Sequence, residues 1–174
     1  MVRAMKLTDP RVTTTVALVA LTAWIGGLLA LGAIVAPIVF AAVPFQLAAD
    51  TMAVVFARFD KLAMGAAAVV LATEAVRGWA TSTATEDRKG ARANLARVGV
   101  SVTLVAMAVL EGLWVTPKIA SLHAGGAVRG VGEAGAALAS AHSIAELLGK
   151  TQALLAIALI ALHVATLPAP RSAP

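Results

Sequence analysis

Val12–Phe40 reads VTTTVALVALTAWIGGLLALGAIVAPIVF, and no charged side chain occurs from Val12 to Ala49. About 20 residues of α-helix cross the hydrocarbon core of a bilayer, so this stretch spans it with length to spare. Arg3, Lys6 and Arg11 precede it, as they would in a secretory signal. The apolar region of a signal is only ~7–15 residues long, however, and the run is read as a retained transmembrane helix.

Three further apolar stretches follow, at about Met52–Trp79, Ala96–Val115 and Ser143–Ala165. Pro117 lies just past the third, and Pro168 and Pro170 just past the fourth, where proline acts as a helix stop. Hydrophobic residues make up 60% of the chain and charged residues 13%, with a mean hydropathy of +0.88. Water is the wrong solvent for such a surface. The pattern predicts an all-α polytopic membrane protein: one four-transmembrane-helix bundle over residues 1–174, with helices at about 12–40, 52–79, 96–115 and 143–165. An outward loop is expected at about 118–142, carrying a short surface helix near Glu133–Ala141. Small residues four apart (Ala23/Gly27, Gly26/Ala30, Gly65/Val69) are candidates for close helix approach. Trp24 is too deep to mark an interface, whereas Trp79 and Trp114 sit near helix ends, where headgroups favour them.

The net charge of +5 does not point to nucleic acid, because the basic residues flank apolar segments. The N-terminal tail, the region between helices two and three, and the C-terminal tail hold Arg3, Lys6, Arg11, Arg77, Arg88, Lys89, Arg92, Arg97 and Arg171. The opposite loops hold Lys118 and Arg129. Positive charge stays inside, so both termini are expected in the cytoplasm and the lipid bilayer is the first partner. A homo-oligomer or a larger membrane partner is a further expectation, since four helices are few for a transporter.

Ionisable side chains inside a span are costly, so each needs a partner, an interface or a function. Asp60 and Glu74 stand 14 residues apart, as do Arg97 and Glu111, so each pair shares a helix face about 21 Å apart along the axis. Antiparallel helices then group them in two layers. The inner layer is Glu74, Arg77 and Arg97, read as structural pairing or anchoring. The outer is Arg58, Asp60, Lys61, Glu111, Glu146 and Lys150. It reads either as a salt-bridge network that sets bundle register or as an outward-facing pocket for an ion or small polar solute. In the pocket reading Arg58, Asp60, Glu111, Glu146 and Lys150 carry the site.

No nucleophile–base arrangement or phosphate-binding loop stands out, so no enzyme and no cofactor are expected. With no cysteine there is no thiolate ligand. His142 and His163 lie at opposite ends of helix four, about 31 Å apart, too far to clamp one group. His142 with Glu146 one turn later is a weak metal candidate.

Trp24-Ile25-Gly26-Gly27, Ala36-Pro37, Phe40, Phe56-Ala57-Arg58-Phe59, His142-Ser143 and Leu147-Leu148-Gly149-Lys150 follow one another along the chain. This order resembles the transmembrane protein 205-like family (domain of unknown function 4149). That resemblance implies a compact four-helix membrane bundle with no established activity, and marks Trp24, Gly26, Gly27, Pro37, Phe40 and Phe56 as motif positions. The Trp-x-Gly-Gly start also resembles the copper-resistance D membrane family, which implies copper handling at the outer face. This chain departs from that family in its shortness and its lack of Met/His-rich runs.

Overall fold

The structure, a computed structural model, describes residues 9–81 and 88–167, without the side chains of 80, 81, 88 and 89. The expectations that fall on Arg3, Lys6, Arg88, Lys89, Pro168, Pro170 and Arg171 therefore lie outside it. Among the described residues there is no strand.

Helix α1 (Pro10–Leu29) begins where Asp9 accepts a hydrogen bond from the Arg11 amide at 2.9 Å, with Pro10 supplying its preset φ in the first turn. It runs through a π-helical turn at Ala30–Val35 into α2 (Ala36–Ala42). After a short bend at Val43–Pro44 comes α3 (Phe45–Thr81), which returns over 37 residues. Helix α4 (Arg88–Leu110) passes through a second π turn at Glu111–Val115 into α5 (Thr116–Ala124). Helix α6 (Gly132–Ala165) completes the fold. Three rods, Pro10–Ala42, Gly90–Ala124 and Gly132–Ala165, are long and apolar enough to cross a membrane. Helix α3 is long enough but is not among them, and it carries Arg58, Asp60, Lys61, Glu74 and Arg77 along its length.

Both π turns have one cause. Proline lacks an amide hydrogen, and its ring crowds the carbonyl four residues earlier, here Ala33 for Pro37 and Leu113 for Pro117. Each of those carbonyls lies inside a π turn, whose wider ring moves it clear. This corrects the expected stop at Pro117: the third rod goes through the proline and ends at Ala124. The expected loop at 118–142 shrinks to a turn at 125–131, and the surface helix near Glu133–Ala141 is the first part of α6. Gly126, Gly130 and Gly132, all with positive φ, make that turn. Gly135 completes it by closing over the Val128 carbonyl, where a Cβ would have no room.

The helices form a closed ring in which α1 packs on α3, α3 on α4, α4 on α6 and α6 on α1. Core residues recur at alternating steps of three and four. On α1 they are Thr14, Ala17, Leu21 and Trp24; on α4, Arg97, Ser101, Leu104 and Ala108. That spacing keeps one seam of each helix facing the bundle axis. The apolar centre joins Leu21, Trp24, Ala63, Ala67, Val70, Leu104, Ala108, Ala156 and Leu159. At Gly27 a Cβ would come within 2.6 Å of the Phe59 ring, so glycine permits this contact between α1 and α3. Gly26 and Gly65 face open space, so of the small-residue positions Gly27 is a close contact and these two are not. Trp24 is buried, while Trp79 and Trp114 are exposed near the two ends.

Candidate functional site

The same seams carry two polar layers, one on each side of the apolar centre. On α3 the series Asp60, Ala63, Ala67, Val70, Glu74, Arg77 places acid at one end and an acid–base step at the other. On α4 the series from Arg97 to Ala108 continues to Glu111 and Val115.

The inner layer ties all four helices. Arg97 Nε donates to both Glu74 oxygens, at 2.8 and 2.9 Å, with both side chains almost wholly buried. Arg97 Nη1 also donates to Asn94 Oδ1 at 2.8 Å and to Thr166 Oγ1 at 3.2 Å. Arg77 donates to the Thr14 hydroxyl on α1 and, at 3.5 Å, to Thr166 on α6. Arg77 Nη1 lies 3.3 Å from His163 Nδ1. A guanidinium can only donate, so Nδ1 accepts and the ring proton sits on Nε2. That Nε2 stands 3.4 Å from Glu74 Oε1 and is buried without a hydrogen-bond partner. Thr14 and Thr166 meet the same arginine, which puts both ends of the described chain at one end of the bundle.

The outer layer consists of Asp60, Glu111 and Gln152, one from each of three neighbouring helices. Gln152, 2% exposed, donates through Nε2 to Glu111 Oε2. Asp60 and Glu111 are close enough to act on each other electrostatically. The Thr116 side chain lies beside the Asp60 carboxylate, while Asp60 Oδ2 is buried with no hydrogen-bond partner. No Lys, Arg or His among the described residues forms an ion pair with either acid. Trp24, whose indole nitrogen is also buried and unpartnered, packs in the apolar core with Ala63, Ala108 and Ala156. Those three lie three or four residues along their helices from Asp60, Glu111 and Gln152. Two carboxylates without a counter-charge in such surroundings are costly to ionise together and attract a cation or a proton.

Of the five residues read as an outer pocket, the structure brings only Asp60 and Glu111 together. Glu146 and Lys150 pair with each other at 2.6 Å on the outside of α6, with side chains 62% and 70% exposed. Arg58 and Lys61 are exposed on α3. The reason is angular, since residues that share a level on a helix share a face only at steps of three, four or seven. Gln152, Thr116, Thr14 and Thr166 complete the two layers but escaped a search for charge alone, and His163, titratable but assigned to neither layer from the sequence, joins the inner one. The available signal was the seam itself, where Gln152, Ala156, Leu159 and His163 recur at steps of four, three and four.

The metal candidate also rearranges. His142 faces not Glu146 but His123 on α5, the two rings meeting edge-on at 5.8 Å. No group of three or more His, Cys, Asp or Glu side chains suited to a metal ion occurs among the described residues. The motif positions scatter through the packing. Trp24 and Gly27 face the bundle, Phe56 is half-buried, and Gly26, Pro37 and Phe40 are exposed, with Phe40 against Phe45 at 5.8 Å.

No curated protein and no solved structure matches the chain. A family described as a domain of unknown function, DUF4149, matches residues 19–127. The match runs from the middle of α1 to just past α5, so it takes in Asp60, Glu74, Arg77, Arg97 and Glu111 and leaves α6 outside. It covers well over half of the sequence, and the chain belongs to the DUF4149 family.

Proposed function

We propose that this DUF4149 protein is a non-enzymatic, four-crossing membrane protein of the transmembrane protein 205-like type that binds a small cation or a proton at Asp60 and Glu111. The observation that carries this reading is the buried, unpartnered Asp60 Oδ2 beside Glu111, with no basic side chain among the described residues to neutralise either. Gln152 and Thr116 supply neutral groups that orient the two carboxylates without cancelling their charge. Helix α3 crosses with the other three rods because it packs between α1 and α4 and turns its inner charges into the bundle. Both termini lie in the cytoplasm. Arg77 and Arg97 drop out of the loop count once they are buried, and seven basic residues against two still favour that side.

The test is thermal unfolding of the detergent-purified chain in sodium, potassium or choline chloride and across pH. The wild type should be stabilised by one of the small cations or by acid. Glu111→Gln, which keeps the size and the partner Gln152, should abolish that response and leave the baseline within about 1 kcal/mol. A wild type indifferent to ions and pH would sink the site.

A second reading, assembly with another membrane helix, is favoured by the exposed Glu146–Lys150 pair. On α6 it lies roughly 20–26 Å from His163, still within a hydrocarbon layer ~30 Å thick. Charges at that depth rarely face lipid. A second copy or a larger partner packed on this face would shelter them. Glu146→Leu with Lys150→Leu should then turn an oligomer into a monomer by light scattering, and an unchanged mass counts against it. Copper handling draws no support from the donor groups that the described residues bring together.

A further inference from the structure

Away from both polar layers, a cavity of about 260 Å³ opens between the second π turn, α5 and the first half of α6. Val115, Ala141 and Ile144 give it apolar walls, and Trp114, Lys118 and Ser140 contribute its polar or amphipathic groups. Lys118 is the one charged side chain that lines it. Its ammonium rests 5.5 Å from the centre of the Trp114 ring, a cation–π contact that holds the charge in place and leaves its donors free. No carboxylate among the described residues pairs with Lys118.

The height of this cavity decides what it meets. Along α6, Ile144 and Ser140 stand about 29 and 35 Å from His163. A hydrocarbon layer is ~30 Å thick, so with the inner layer at one boundary the cavity lies at the other, among headgroups. Trp114 and Lys118 are residues suited to that zone. Arg129, the other basic residue at this end, acts electrostatically on His142 of the same stretch of α6.

We propose that this cavity binds the headgroup of an anionic phospholipid. The phosphate sits on Lys118 Nζ and the Ser140 hydroxyl, and an acyl chain runs along the exposed Trp114 and Ile144. A half-apolar cleft with a single cation and no acid fits a phosphate joined to hydrocarbon better than a free ion. The inference rests on the four-crossing reading but not on the carboxylate pair, so Glu111→Gln should leave lipid binding intact.

The experiment is native mass spectrometry of the full chain released from micelles, titrated with phosphatidylglycerol, phosphatidylcholine or inorganic phosphate. The expected result is retention of one phosphatidylglycerol in preference to phosphatidylcholine. Lys118→Gln should weaken it about fivefold, corresponding to roughly 1 kcal/mol for one basic residue at an anionic headgroup. Lys118→Arg should restore most of the binding, and Lys61→Gln, exposed elsewhere on α3, should change nothing. Ser140→Leu fills the cleft without removing charge and should also displace the lipid. Equal retention of both lipids overturns the proposal, as does equal loss in Lys61→Gln. Capture of inorganic phosphate with the same dependence on Lys118, and no lipid, would reassign the cleft to a free anion.

Discussion

Arg97 and Glu74 show how much one buried pair can carry. Their side chains are 3% and 5% exposed and held by two short hydrogen bonds, so removal of either partner strands a charge in a dry interior. Arg97→Ala should cost about 3–5 kcal/mol, read as a drop in unfolding free energy in mixed micelles. Arg97→Lys should recover only part, because an ammonium cannot serve Glu74, Asn94 and Thr166 from one planar group. A loss under 1 kcal/mol for Arg97→Ala would mean that water already reaches the layer. Glu111 makes the contrasting case. It has a neutral partner in Gln152 and a like charge in Asp60, so its substitution should change ion response more than stability.

Helices meet here through small residues as much as through charge. Gly27 lies under the Phe59 ring, so Gly27→Val should push α1 and α3 apart at a cost of roughly 1–3 kcal/mol. Its neighbour Gly26 meets nothing within 4 Å, and Gly26→Val should stay within about 0.5 kcal/mol. Similar losses in both variants would show that the packing of α1 is not as described. The two proline-linked π turns act at the same scale. Each adds slack to a rod without ending it, and the second begins at Glu111, where the wider turn carries an acid on the seam between α3 and α6. An ordinary α-helical turn would leave the residues beyond it at a different angle to the bundle.

At the scale of the molecule, the bundle stacks an inner polar layer, an apolar centre and an outer polar layer, with both ends of the described chain beside the inner layer. The chain has no cysteine, so single introduced thiols report topology against a clean background. Ala127→Cys, in the turn between α5 and α6, should react with an impermeant maleimide applied to intact cells. Ser82→Cys, in the connection after α3, should react only after the membrane is opened. Labelling of Ser82→Cys in intact cells would reverse the proposed orientation.

The sequence by itself determined the class, the helix count and the inner pairing. Long apolar runs demand internally hydrogen-bonded helices in lipid, and Glu74 and Arg97 meet because 14-residue spacings on antiparallel helices bring their levels together. It could not determine which polar residues face one another, because level along a helix follows from counting whereas angle around it depends on the neighbour it packs against. Tertiary structure therefore decided that Gln152 and Thr116, not Arg58, Glu146 and Lys150, surround the outer carboxylates. It also decided that the helix continues past Pro117 through a π turn instead of ending there, since a helix packed against α3 and α6 on both sides of the proline gains more by continuing than by stopping.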